Sequence, residues 1–484
     1  MTTQRRPFKI SALFLFALAV IAVLSIRYQT INFISGSLWA EDGPVFYEQA
    51  VQMGLRSLVE PYAGYLHIYP RVFALLSLTT SIQLIPYAFF SGWLLALFIL
   101  WWGTKQILGD RRVDVAFAAA VVLLCLLQPH RGETLLSLTN AQWWLAPVLA
   151  MVIAMPDRFS HKSIPLIMVL SLTGPFSIIL MPLALFQGVR TRHWKILSPI
   201  FIGGIIQFFF LAATTRSQQT LDTNIENWIT AARIFLTFGS YSPIIIACAS
   251  AIWISAAYLI VRGGWSYRVI MLCGLATYAA ALYTMKGMPQ EISPVGSGSR
   301  YFVIPYALLV IGAAIAYRTN KAVSVSSLVM IAAIFMLSYW PAQQAQLNYQ
   351  SFAKLARYEK QLTIPIAPVF SGSPGYSIRI ISSGISQEPS NAIYANGLFL
   401  LSSNICEGSR HVGIAADVSM SKEGEVSALW SDIGSDETDK FSRYYPAGPQ
   451  RIQMAFKKSK RPKSISIELP EGSTVLGDAK VYCM

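Results

Sequence analysis

"ISALFLFALAVIAVLSI", residues 10–26, runs for seventeen residues without a charge. As a helix it spans about 25 Å, close to the roughly 30 Å hydrocarbon core of a bilayer. Arg5, Arg6 and Lys9 precede it, as basic residues precede a secretory leader. No small-residue cleavage site follows, however, and many more apolar runs do. The segment therefore reads as a retained membrane helix.

Ten further runs of the same kind follow, near residues 84–102, 114–128, 143–155, 164–174, 176–187, 197–213, 243–261, 269–285, 301–317 and 324–340. The 484 residues are 54% apolar and only 13% charged. Soluble domains carry about 25% charged residues. The fold class expected is an all-α polytopic membrane domain of eleven helices, residues 1–341, with an outward loop at 27–70. The fifth and sixth runs are short and meet at "TGPFS" (173–177), either as a re-entrant pair or as two short helices joined at Pro175. A helix broken within a membrane usually lines a cavity.

The net charge of +14 is an orientation signal. With the N-terminus inside, the six inward pieces (1–9, 103–113, 156–163, 188–196, 262–268 and 318–323) hold fifteen Lys and Arg. This placement argues against nucleic acid as a partner. The outward pieces mix signs: Glu41, Asp42, Glu48, Glu60, Glu133, Asp222, Glu226 and Glu291 with Arg71, Arg131, Lys286 and Arg300. Chemistry is expected on that face.

After Pro341 the periodicity changes. A polar helix near 342–362 precedes alternating runs such as Ile452, Met454, Phe456 and Ile465, Ile467, Leu469. Period-two alternation predicts half-buried strands. Residues 342–484 are thus expected to form a small, mainly β domain, placed outside the cytoplasm by the odd number of crossings. Cys406 and Cys483 both fall in it and are available for a disulfide there. Cys125, Cys248 and Cys273 lie in membrane runs and read as packing residues.

Four outward motifs carry the polar chemistry. In "WAEDG" (39–43), Asp42 before Gly-Pro suits a helix cap, and the Glu41–Asp42 pair equally suits acid–base work on a hydroxyl. "EPYAGYLHIYPR" (60–71) supplies Tyr65, His67 and Arg71; its aromatics also fit an interfacial belt. "HRGETLLSLTNAQWWLAP" (130–147) brings His130 and Arg131, then Asn140, Gln142, Trp143 and Trp144 at the mouth of a run. Aromatic faces and amides of this kind hold sugars, and they equally make an interfacial anchor and a cap. In "GSGSRYF" (296–302), Arg300 and Tyr301 read as an anion clamp or as an interfacial pair. Developing phosphate charge calls for cations, and His67, Arg71, His130, Arg131, Lys286 and Arg300 are the candidates. "KKSKRPK" (457–463) reads as a solvated loop, with anionic glycan or lipid headgroups as an alternative contact. No Gly-rich phosphate loop and no zinc-spaced Cys/His cluster is present.

On "WAEDG", supported by "PYAGYLH", "LTNAQWWL" and "SGSRYF", and on its layout, the chain resembles GT-C-type glycosyltransferases. The nearer resemblance is to the serotype-converting glucosyltransferases that decorate bacterial O-antigen in lipopolysaccharide synthesis. That resemblance implies an inverting transfer of a sugar such as glucose in the bacterial inner membrane. The donor would be a polyprenyl-phosphate sugar such as undecaprenyl-phosphate glucose, and the acceptor a lipid-linked polysaccharide on the periplasmic face. It also implies a loop-one general base, Asp42 by preference, with Glu41 orienting the acceptor or a metal. Some GT-C enzymes use a divalent cation, magnesium or manganese, and no decisive ligand set stands out here. Competing readings are a lipid-linked sugar flippase or transporter and an O-antigen polymerase or ligase. A transporter places charges near the midplane, whereas here the acids crowd the outer edge.

Overall fold

The computed structural model describes residues 9–28, 38–109, 111–130, 132–214, 220–338, 347–368, 373, 375–381, 390–391, 393–395, 398–401, 406, 409–432, 438–457, 462–477 and 479–484. The chain divides into two compact units. The first comprises Met1–Thr30, Leu55–Phe73 and Phe90–Gln343; the second, Ile31–Gly54, Ala74–Phe89 and Gln344–Met484.

Helices make the first unit: α1 (Lys9–Tyr28), then, after the short α2 (Glu48–Met53) of the second unit, the greater part of α3 (Ile68–Ser77) and of α4 (Ile85–Leu108), whose last and first turns are counted with the second unit, and α5 (Arg112–Leu126), α6 (Ala141–Ala154), α7 (Ile164–Ser171), α8 (Phe176–Thr191), α9 (Trp194–Ala213), α10 (Ile225–Leu236), α11 (Pro243–Arg262), α12 (Trp265–Thr284), α13 (Val303–Ala316) and α14 (Lys321–Leu337). Among the described residues five helical stretches are long and apolar enough to cross a membrane: Ile82–Leu108, Trp194–Ala213, Pro243–Arg262, Trp265–Thr284 and Ser299–Ala316. The other apolar segments carry helices whose described apolar stretches are only 8 to 17 residues long.

Helix α6 is apolar on every side and buried on nearly every side, as is α13. A helix of that kind sits inside a bundle. Helix α13 packs on α5, α6, α12 and α14, and α8 packs on α9. Helices α9 and α11 instead turn Phe208, Phe209, Ile254 and Val261 outward. An apolar outer surface of this extent is what lipid accepts and water does not. Residues 172–175 separate α7 from α8, so "TGPFS" joins two short helices.

The second unit is mainly β. Helix α15 (Tyr349–Leu355) is shorter than the expected 342–362. Strands β1 (Gln361–Ile366) and β2 (Tyr376–Ile381) form an antiparallel pair. One sheet runs β4 (Ile393–Ala395), β5 (Leu398–Leu401), β10 (Pro462–Glu468), β7 (Gly424–Asp432), β8 (Thr438–Tyr445). The other centres on β6 (His411–Met420), which pairs with β9 (Gly448–Lys457) on one side and with β11 (Thr474–Val475) and β12 (Lys480–Cys483) on the other; β12 also meets β3 (Ser390–Asn391).

Period two explains their facing. Val412, Ile414, Ala416 and Phe456, Met454, Ile452 share one apolar face, and Trp430 of β7 stacks on Phe456 at 4.6 Å. The opposite face of the same strands carries His411, Gly413, Ala415, Asp417 and Lys457, Ala455, Gln453, Arg451. Helix α15 covers part of that face. A Cβ at Gly413 would lie 2.7 Å from Leu355 Cδ1, so the glycine admits the helix. Glu359 organises the far end, accepting from Arg451 Nε at 3.0 Å and Nη2 at 2.9 Å and from the Tyr482 hydroxyl at 2.6 Å. Arg451 also reaches Asp417 at 2.9 Å. Cys406 and Cys483 are joined by a disulfide.

The division differs from 1–341 and 342–484, because Ile31–Gly54 belongs with the second unit. There Trp39 bridges to Ala367, the Ala40 amide bonds the Ala367 carbonyl, and the Arg379 amide donates to Glu48 at 2.8 Å. Ala74–Phe89 follows, since Tyr349 and Gln350 bond the carbonyls of Ile82 and Gln83 at 3.1 and 3.0 Å.

Candidate functional site

The densest polar assembly in the first unit starts at "PYAGYLH". Ala63 and Gly64 have φ of 51° and 84°. Positive φ at both central residues is the signature of a type I′ turn. Tyr62 and Tyr65 close it, amide to carbonyl, at 3.0 and 3.2 Å. Alanine in this region is strained by roughly 1 kcal/mol. The turn sets the rings of Tyr62 and Tyr65 at 5.8 and 6.0 Å from His67. His67 is buried and donates through Nε2 to the Tyr62 carbonyl at 3.2 Å. Burial, helped by the charge of Arg71, lowers its pKa to about 4 against the pull of that bond. The imidazole is therefore neutral near pH 7.

Gln207, in the middle of apolar α9, anchors this loop. Its Oε1 accepts the Leu66 amide at 2.7 Å, and its Nε2 donates to the carbonyls of Leu66 at 3.0 Å and Gly174 at 3.1 Å. Gly174 donates back to Leu66 at 3.0 Å, and Ile68 to Leu172 at 3.2 Å. Loop one is thereby laced to the break between α7 and α8. Gly174 has φ 79°, and a Cβ there would collide with Gln142 Oε1.

The loop from His130 to Asn140 forms the next layer. The Thr134 carbonyl accepts from both the Trp93 and Trp144 indoles at 2.9 Å. Asn140 Nδ2 donates to the Glu133 carbonyl at 2.7 Å and to Ser137 Oγ at 3.2 Å. Glu133 then turns its carboxylate to "SGSRYF". Oε1 accepts from Ser299 Oγ at 2.8 Å and the Arg300 amide at 2.9 Å, and Oε2 from Arg300 Nη1 at 3.3 Å. The Arg300 guanidinium lies 5.5 Å over the Tyr301 ring. Trp143 meets Phe176 at 5.1 Å and Tyr301 at 5.5 Å, both edge to face. Beside this corner Trp143 Nε1, Gln142 Oε1 and Thr134 Oγ1 are buried and make no hydrogen bond among the described residues. Buried polar atoms are nearly always bonded, so three such atoms near a cation and an aromatic corner mark a place for a polar ligand or water.

Arg300, Tyr301, Gln142, Trp143, Tyr65 and His67 thus fall into connected parts of one unit. Two of the sugar-binding candidates bond within the fold. Trp144 is wholly buried and its indole donates to the Thr134 carbonyl. The amide nitrogen of Asn140 is spent on Glu133 and Ser137. Lys286 lies with its ammonium 5.0 Å over Tyr283, while its carbonyl accepts the Asp222 amide at 2.8 Å. Arg71 is buried in α3 with the Glu60 charge acting on it. Arg131 lies outside the described residues.

Asp42 and Glu41 belong to the second unit. Asp42 is buried, Glu41 half-buried. Asp42 Oδ2 accepts the Trp39 amide at 3.4 Å, and the Asp42 amide donates to the Trp39 carbonyl at 2.8 Å. The carboxylate thus closes back on the turn before it, and Asp42 makes no side-chain cap bond to the Gly43–Tyr47 turn that the Gly-Pro pair opens. Ala40, between them, has φ 41°, a strained value of the kind that clusters at functional positions. Ala63 and Leu136, at 51° and 56°, put the same strain into two of the other three motifs.

Sequence reading missed Glu133 as the partner of Arg300, and it missed Gln207. A glutamine inside "GIIQFFF" was a usable signal, since a polar side chain in an apolar helix needs a bonding partner. No group of three or more His, Cys, Asp or Glu that would suit a metal ion occurs among the described residues. Comparison of the chain with protein-family models, curated proteins and solved structures gives no match.

Proposed function

We propose that this chain is an integral-membrane glycosyltransferase that takes a sugar from a polyprenyl-phosphate donor and attaches it, with inversion, to a hydroxyl of a lipid-linked surface polysaccharide. The observation that carries the proposal is the Glu133–Arg300–Tyr301–Trp143 corner with its three unbonded buried polar atoms. Arg300 supplies a cation for phosphate, Trp143 and Tyr301 supply aromatic faces, and Trp143 Nε1 and Gln142 Oε1 supply a donor and an acceptor for sugar hydroxyls.

In the reaction the acceptor oxygen bonds to the anomeric carbon as the bond from that carbon to the phosphate oxygen breaks. The electron pair leaves with the phosphate, and the hydroxyl proton passes to a carboxylate. The GT-C resemblance gives that base to Asp42, with Glu41 as its orienting neighbour, and the strain at Ala40 agrees with a functional position. Glucose as the sugar, a GT-C membrane domain of eleven crossings, the bacterial inner membrane, a cytoplasmic N-terminus and a periplasmic β domain belong to the same reading. It leans on the basic inward loops.

Proteoliposomes holding the purified chain, labelled undecaprenyl-phosphate glucose and a lipid-linked polysaccharide test it. Labelled polysaccharide is expected from the native chain, none from Asp42→Asn, and a raised donor KM from Arg300→Ala. Donor movement between leaflets without labelled polysaccharide would select the transporter reading and overturn this one. Full activity in both Asp42→Asn and Glu41→Gln would remove the base assignment.

A further inference from the structure

The polar face of β6 and β9 ends in two opposite ways. At one end Arg451 is neutralised by Glu359 and Asp417. At the other, His411 of β6 stands directly across from Lys457 of β9, so both side chains project from the same face. Arg410 precedes His411 in the chain. Helix α15 lies against this face, admitted by Gly413, and Ser351 Oγ bonds His411 Nδ1 at 2.9 Å. Lys354 sits one turn further along the same helix face. Arg410 and Lys457 are exposed; His411 and Lys354 are half-buried; Ser351 is buried. None of the three cations makes an ion pair among the described residues. Like charges held side by side destabilise a fold unless a counter-charge repays them.

We propose that Ser351, Lys354, Arg410, His411 and Lys457 form a binding site for a phosphate group on the second unit. The cations supply charge-assisted donors, and the Ser351–His411 pair, with one of its two protons spent on its own bond, leaves one further donor, either the hydroxyl or the imidazole N–H. Burial and then the charges of Lys354, Lys457 and Arg410 lower the His411 pKa to about 4, so the ring is neutral near pH 7 and adds no further repulsion. The site is independent of the transferase reading. Its phosphate has two sources with one chemistry, a lipid headgroup or a phosphate borne in solution.

The full chain in phosphatidylcholine nanodiscs is titrated with inorganic phosphate by calorimetry. Saturable binding is expected, weakened about tenfold by Lys354→Ala and by Lys457→Ala, as for loss of one charge-assisted bond, and kept by Lys457→Arg. Without phosphate, Lys457→Ala is expected to unfold at the same or a higher temperature, because repulsion is relieved. Repeating the titration in discs containing phosphatidylglycerol separates the sources. Loss of phosphate binding there assigns the site to a lipid headgroup, and unchanged binding assigns it to a soluble phosphate. No saturable binding in phosphatidylcholine discs, or unchanged affinity in both alanine variants, would overturn the proposal.

Discussion

Replacing Glu133 tests whether its carboxylate holds the "SGSRYF" turn. It serves Ser299 Oγ at 2.8 Å, the Arg300 amide at 2.9 Å and Arg300 Nη1 at 3.3 Å. Ser299 is fully buried, so water does not take over the lost acceptor. The first two bonds to a charged acceptor contribute about 1.5 kcal/mol each. The guanidinium arm is discounted to about 0.5 kcal/mol, because the Arg300 side chain is 39% exposed. Glu133→Ala is therefore expected to cost about 3.5 kcal/mol. Glu133→Gln keeps an acceptor oxygen for Ser299 and the Arg300 amide and is expected to cost about 1 kcal/mol. For a unit of this size these losses correspond to falls in the unfolding midpoint of roughly 7 and 2 °C. Thermal unfolding in detergent, followed by circular dichroism, reads both. Equal falls for the two variants, or none for Glu133→Ala, would refute the reasoning.

Gly174→Ala combines a disfavoured φ with a collision at Gln142 and is expected to cost at least about 2 kcal/mol, whereas Gly54→Ala has strain alone and should cost about 1; their unfolding midpoints decide this. Gln207→Leu removes three buried bonds and is expected to lower stability by about 2–4 kcal/mol, with faster protease cleavage near Ala63–Gly64 as the local sign. His67 has a folded pKa near 4, below the ordinary 6.5, so the unfolded chain binds its proton first on acidification. Its contribution to stability is full above pH 6.5 and fades by about 3 kcal/mol as the pH falls toward 4. His67→Asn should flatten that part of the stability profile, and an unchanged profile would count against the assignment.

The helical membrane character was legible because uncharged runs have few physical alternatives. The strands were legible from alternation, as at Ile452, Met454 and Phe456. Individual polar roles were less so. Asn140, Trp144 and Trp143 are neighbours in sequence, yet only Trp143 keeps its polar atom unbonded among the described residues. The difference is set by the Glu133 and Thr134 carbonyls, which a string of letters does not display. Main-chain partners are invisible to composition and spacing alike. The same holds for residues 31–54, whose place in the second unit depends on a bridge from Trp39 to Ala367 across more than three hundred residues.

One carbonyl, that of Thr134, carries two indole donors, one from α4 and one from α6. The next residue back is Glu133, at the heart of the corner. Indole emission shifts with the strength of the bond its N–H makes, so the molecule contains a built-in optical gauge. An event that displaces Glu133 would bear on both indole bonds together, as a shift within an emission shared with the other ten tryptophans.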